Sequence, residues 1–166
     1  MEAEPGFVEF ATARSSTLFR TAWLLTGDWH LAQDLVQETL GRLYVHWPKV
    51  AAADQPEAYA RSVLVRTFLS HRRRRSSSER PSELVDIGQA VPEADSDLRV
   101  TLLGALSQLD RLDRTVVVLR YWQDLDAPST GELVGLSATA VRTRCSRALT
   151  RLRDVLGDDL AHLLAR

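Results

Sequence analysis

Gly135-Leu136-Ser137, followed by Val141-Arg142-Thr143-Arg144-Cys145-Ser146-Arg147-Ala148, is the stretch that decides how this chain is read. Gly135 suits a tight turn between two helices and Leu136 the buried elbow. Ser137 can cap the next helix, because its hydroxyl accepts from a backbone N–H of the first turn. Beyond the cap, Val141, Cys145, Ala148 and Leu152 recur at spacings of 4, 3 and 4, one apolar stripe on a helix. Arg142, Thr143, Arg144, Ser146, Arg147 and Arg151 occupy the other faces. A short helix, a glycine turn and an amphipathic helix with a basic face make a helix-turn-helix of the kind that fits the major groove. An ordinary helix with a solvated arginine face is the alternative. The absence of any acid among residues 142–153, which hold five arginines, favours nucleic acid.

Outward from that motif the pattern stays helical. Before it, a short polar helix is expected over about Ala127–Val134, and the run from Thr115 through Trp122, with Val116-Val117-Val118-Leu119, is read as a further helix. Its β-branched residues suit a strand, but no second strand exists to pair with it. Leu98, Leu102, Leu103, Leu106 and Leu109 suggest another helix. Gly157 stops the long basic helix near Leu156, and a short helix follows over about Asp158–Ala165. At the other end, apolar spacing predicts a helix over about Phe7–Thr26. Asp28 caps a second, whose stripe runs Leu31, Leu35, Leu43 and Trp47 and which Pro48 ends. Pro56 opens a third, through Phe68 into Arg72-Arg73-Arg74-Arg75. Residues 76–96 are polar, acidic and punctuated by Pro81, Gly88 and Pro92, a flexible linker by composition, with a short helix around Leu84–Ile87 as the alternative. The expectation is all-α: two small helical domains, 1–75 and 97–166, joined by that linker, the second containing the helix-turn-helix.

Charge is distributed to match. The 166 residues carry 21 bases and 22 acids, so the net charge is −1 and the chain is no general nucleic-acid coat. Two compact basic patches, 71–80 and 142–153, flank an acidic stretch, 81–97, that has five acids and no base. All bases but Lys49 are arginine, which makes bidentate contacts that lysine cannot. One cysteine excludes a disulfide framework and points to a reducing, cytoplasmic setting. No apolar run is long enough to span a membrane, and the acidic start is unlike a targeting signal. The histidines at 30, 46, 71 and 162 are scattered and no glycine-rich phosphate loop occurs, so neither an enzyme nor a cofactor or metal is expected.

Asp34, Gln37 and Glu38 share one helix face, either a polar interaction surface or a plainly solvated one. Residue patterns leave a stand-alone helix-turn-helix regulator and a protein-interaction module that has lost DNA binding open.

Two separated motifs narrow this. Asp34-Leu35-Val36-Gln37-Glu38-Thr39-Leu40 resembles region two of extracytoplasmic-function RNA polymerase sigma factors, of the sigma-70 family. Arg120-Tyr121-Trp122-Gln123-Asp124-Leu125, with Gly135-Leu136-Ser137 and Val141–Ala148, resembles region four. Leu24-Leu25-Thr26-Gly27-Asp28 and Tyr44-Val45-His46-Trp47 resemble the actinobacterial sigma-E-like subgroup. The resemblance covers about residues 7–156. It implies a non-catalytic subunit that binds core RNA polymerase, directs promoter recognition and melting, and has an anti-sigma factor among its partners. It assigns Asp34, Leu35, Gln37 and Glu38 to the polymerase. Lys49, Arg61, Arg66, Ser70, His71 and Arg72, Arg73, Arg74 and Arg75 go to the minus-ten element, with the loop Lys49–Gln55 holding a flipped base. Ser137, Thr139, Arg142, Thr143, Arg144, Arg147 and Arg151 go to the minus-thirty-five element. Arg142, Thr143 and Arg144 are the candidates for base edges, Arg147 and Arg151 for phosphate. The chain departs from the family pattern at Thr130-Gly131, where an Ile-Ala pair is usual, and at Thr139-Ala140, where a Gly-Thr pair is.

Overall fold

In the computed structural model, which describes residues 4–71 and 96–164, every regular element is a helix. The order is α1 (Phe7–Thr26), α2 (Trp29–Val45), α3 (Trp47–Ala51), α4 (Pro56–Ser70), α5 (Ser96–Ser107), α6 (Arg111–Tyr121), α7 (Ala127–Val134), α8 (Ala138–Leu156) and α9 (Asp159–Leu164). Four helix starts are capped by side chains that the sequence supplies at the right place. Asp28 accepts from the backbone N–H of Leu31, Asp110 from Asp113, Asp126 from Ser129 and Ser137 from Ala140. Each bond satisfies a donor that the helix itself leaves open.

Val116, Val117, Val118 and Leu119 are fully buried in α6, which explains why a β-branched run is helical. Helix propensity disfavours valine by only a few tenths of a kcal/mol, whereas burying each side chain contributes about 1.5–3 kcal/mol. One expectation needs correction. Pro48 does not end α2; the break is at His46, and Pro48 sits in the first turn of α3. Proline is at home there because a first-turn N–H has no helical partner to lose. Trp47 therefore belongs to α3, where its indole Nε1 donates to Pro5 O at 2.9 Å.

The first half packs α1 and α4 against α2; the second packs α5, α6 and α7 against α8. The halves also touch, α1 and α4 against α6 and α4 against α7, so a single apolar cluster runs from Leu18 through Leu64 and Val118 to Leu156. A smaller cluster, Val116, Ala127, Val141 and Cys145, lies inside the helix-turn-helix. Trp29, at the start of α2, packs edge-on against Phe19 at 4.6 Å and Trp23 at 5.1 Å, an aromatic corner with no room for a stacked base between the rings. Arg72–Arg75 and all but the last residue of the expected linker lie outside the described residues. Among the described residues no helix is long and apolar enough to cross a membrane.

Candidate nucleic-acid interface

The turn from α7 to α8 is closed by Gly135 in a left-handed conformation (φ 77°). The N–H groups of Gly135 and Leu136 both donate to Gly131 O, at 2.8 and 2.9 Å. This draws the chain so close to α7 that a Cβ on Gly131 would stand 2.3 Å from Leu136 O. In this conformation a side chain at 131 could not be added without a backbone shift. Its neighbour Thr130 is fully buried, and its hydroxyl has no hydrogen-bond partner.

With the turn set, α8 inserts Val141, Cys145, Ala148, Leu152 and Leu156 into the core. Burial pushes the Cys145 thiol up from its ordinary pKa, which suits a packing residue and not a nucleophile. Thr139, Arg142, Thr143, Arg147 and Arg151 are exposed. An open hollow of about 580 Å³ lies between α8 and the start of α6. Ser137, Thr139, Thr143, Arg144, Arg147 and Arg151 form its α8 wall, Asp110 and Asp113 its α6 wall. Arg142 is not part of that wall, being turned away from it around the helix. Arg144 is held: its Nη1 donates to Asp113 Oδ1 at 2.7 Å and lies 4.0 Å from Asp110 Oδ2. The expected base readers are thus split, with Thr143 facing the hollow, Arg144 tied down and Arg142 on another side.

The first half presents its residues less uniformly. Asp34 and Gln37 are exposed on α2, but Leu35 is 1% exposed and belongs to the core. That corrects its assignment as a contact: one residue on from Asp34 is about 100° around the helix, which here points inward. Glu38 is half-buried between Arg42 Nη2 at 2.8 Å and His71 Nε2 at 2.6 Å. Burial raises its pKa, but the hydrogen bonds and charges of Arg42 and His71 together outweigh that and hold the carboxyl below the ordinary range. Lys49 is exposed on α3, so the loop expected from Lys49 to Gln55 is shorter, beginning at Ala52. On α4, Arg66 is exposed and Ser70 turns its hydroxyl back to Thr67 O. Arg61 instead lines a crevice of about 70 Å³ with Arg14, Glu57 and, from the other half, Gln123. Partial burial there lowers its pKa. Arg61 and Arg66 therefore do not share a face.

Comparison with known proteins matches sigma-70 region 2 over residues 11–78 and sigma-70 region 4 over residues 99–152. The RNA polymerase sigma-E factor of Streptomyces antibioticus is 34% identical over 90% of this chain and 84% of its own length. The Streptomyces coelicolor sigma-E factor is 34% identical over 90% and 85%. The chain belongs to the extracytoplasmic-function sigma factors. Its fold is also that of the sigma factor RpoE from Bartonella quintana, solved in complex with the anti-sigma factor NepR. The TM-score is 0.72 at 21% identity, over 92% of this chain and 98% of that one.

In this sigma factor two groups escape a motif-based reading. Asp113 carries no motif, yet it is the acid that fixes Arg144; its only signal is its place in the first turn of a helix capped by Asp110. Gln123 lies within the region-four motif, but only packing reveals that it reaches Thr21 in the other half.

Proposed function

We propose that this sigma factor reads the duplex of an upstream promoter element with the hollow face of α8 and docks on core RNA polymerase through the exposed Asp34 and Gln37 of α2. Supporting the first part is the α8 wall itself, three hydroxyls with Arg147 and Arg151, which have no ion pair among the described residues, on one open surface beside a helix-turn-helix. Thr139, Thr143 and Arg147 face base edges. Arg142 and Arg151 meet phosphate on either side, and Arg144 is a positioning residue that holds α8 against α6. Glu38, tied to Arg42 and His71, orders the junction of α2 and α4 and is not a direct polymerase contact. Lys49, Arg66 and the run Arg72–Arg75 supply charge for the displaced strand, as single-strand capture requires. The units are 1–75, 76–96 and 97–166. The protein acts in the cytoplasm, without catalysis of its own, and an anti-sigma factor regulates it.

Run-off transcription from a genomic promoter library, with core enzyme and the purified chain, tests this. A discrete set of promoters is expected, and Arg147→Ala should change which are used. Equal transcription with and without the chain would overturn the reading, and tight operator-like binding without core enzyme would favour the stand-alone regulator.

A further inference from the structure

The functional reading above assigns nothing to Arg61, yet its setting on α4 is specific. It borders a crevice of about 70 Å³, walled by Arg14, Thr17 and Thr21 of α1, Glu57 and Arg61 of α4, and Gln123 from the segment after α6. Most of these groups are already engaged. Arg14 Nη2 donates to Glu57 Oε1. Gln123 Nε2 donates to Thr21 Oγ1 at 2.9 Å, and Thr21 Oγ1 donates in turn to Thr17 O at 3.2 Å. Arg61 makes no hydrogen bond and no ion pair among the described residues. Partial burial lowers its pKa, and no neighbouring acid offsets that. A guanidinium stays charged and carries five donors in a planar fork. Taking part of it out of water costs free energy, which a charge-assisted contact with an anion returns.

We propose that this crevice is a site for one small phosphoryl oxyanion, held by Arg61 with Arg14 and Gln123 beside it. The inference needs neither polymerase nor promoter, so it stands apart from the functional reading. Three observations carry it. The wall has two arginines and one glutamate, a net charge of +1, and the glutamate is taken by Arg14, so the crevice favours an anion. Donors converge on it from α1, from α4 and from Gln123, whose amide has a second hydrogen beyond the one given to Thr21. That suits a tetrahedral ion with acceptors in several directions better than a planar one. The rest of the lining is Leu18, Ala60 and Leu64, all buried, and apolar surroundings strengthen a charge contact relative to open water. A phosphodiester of a DNA strand offers the same chemistry, but the geometry favours a free ion. The crevice is far smaller than the about 300–1,000 Å³ of sites that enclose a whole small molecule, so it takes the phosphoryl group alone. Arg66, five residues on and about 140° around the helix, points to solvent, so α4 does not line up two guanidiniums along one strand.

The test is thermal unfolding of the full-length chain in sodium phosphate, at an ionic strength held constant with sodium chloride. About 10 mM phosphate should raise the melting temperature by about 4 °C, the shift for an affinity of about 1 mM on a chain of this length. Sodium nitrate, a planar oxyanion, should raise it less. Arg61→Gln should weaken phosphate binding about tenfold or more, as loss of a charge-assisted contact does. Gln123→Glu keeps the shape of the side chain but adds a like charge, and should abolish the shift. Arg20→Ala removes an exposed arginine of α1 outside the crevice and should retain it. Circular dichroism checks that each variant is folded; if Arg61→Gln is not, Gln123→Glu decides. A phosphate shift no larger than that in chloride overturns the site, and so does one that survives in the folded crevice variants. Affinity for a labelled single-stranded DNA of mixed sequence reads the other source of phosphate. Arg61→Gln should change it by less than about twofold, because the strand has no contact there to lose. A fall as large as that for free phosphate overturns the proposal and gives Arg61 to the strand.

Discussion

Helix α8 and helix α4 both carry arginines that sequence alone would send to DNA, but they deploy them in opposite ways. On α8, residues 144, 147 and 151 fall at i, i+3 and i+7, one face by helical geometry, and that face borders an open hollow. On α4, Arg61 and Arg66 are five residues apart and diverge around the axis, one into an interdomain crevice and one to solvent. A basic helix is therefore a reading surface only where its spacing gathers the charges and its neighbours leave them open. The motif supplies the first condition and the packing the second.

The largest way to break this contrast is to unmake the turn that aims α8. Gly131→Ala puts a Cβ against Leu136 O and should cost about 1–3 kcal/mol by thermal unfolding. Promoter use should fall with it while the helicity of the first half persists. An unchanged melting temperature would show that the turn relaxes freely and that glycine is not required there.

Substituting the arginines one at a time sharpens the contrast. In holoenzyme, Arg147→Ala should cost about 1–3 kcal/mol and relax preference at one promoter position, whereas Arg142→Ala and Arg151→Ala should weaken all promoters alike and lower the salt slope by about 1. In free protein, Arg61→Ala should change DNA affinity less than Arg147→Ala because the side chain is partly buried in its crevice. Equal losses for Arg61 and Arg147 without polymerase would erase the distinction between the helices.

A smaller effect separates Arg144 from its neighbours. A double-mutant cycle of Arg144→Ala with Asp113→Asn, read by denaturant unfolding, should give a coupling of about 1 kcal/mol, since the pair is partly screened by solvent. Zero coupling, with a change in promoter preference for Arg144→Ala alone, would return Arg144 to the base readers.

The smallest concerns Glu38. Its carboxyl is held below its unfolded pKa, so the stability it contributes is present above the ordinary glutamate value, near 4.3, and is lost as pH falls through the lower folded value. Glu38→Gln should therefore be slightly less stable than wild type at pH 6, by under about 1 kcal/mol given its exposure, and the difference should close between about pH 5 and pH 3. Core binding should survive the substitution but fail in Asp34→Ala/Gln37→Ala. Loss of core affinity in Glu38→Gln with an intact fold would put that carboxylate back on the polymerase face.

Much of this was legible from the chain. The caps at Asp28, Asp110, Asp126 and Ser137 and the left-handed glycine at 135 are local, each set by groups within four residues. So is the stripe Val141–Leu152 that roots α8. Leu35 was misassigned because a motif names a run of residues, whereas a helix faces one way with only some of them. His46 and Pro48 were misread because proline ends a helix in its interior and begins one in its first turn, and the local sequence permits both.

By itself the sequence determined an all-α chain, most of its helix boundaries, a helix-turn-helix with a basic second helix, and a resemblance to the sigma factors; it left out α3 (Trp47–Ala51) and placed the start of α6 at Thr115, where the structure has Arg111. The structural features follow from periodicity, capping and turn chemistry, which act over a few residues; the family resemblance rests on matching motifs. Only the tertiary structure decided that Arg144 is spent on Asp113, that Arg61 shares a crevice with Gln123, that Gly131 makes room for Leu136, and that α6 grips the ends of α1 and α4. Each of those joins groups brought together by packing, 5 to 89 positions apart in the chain. Side chains meeting across such separations leave no periodic trace for the sequence to show.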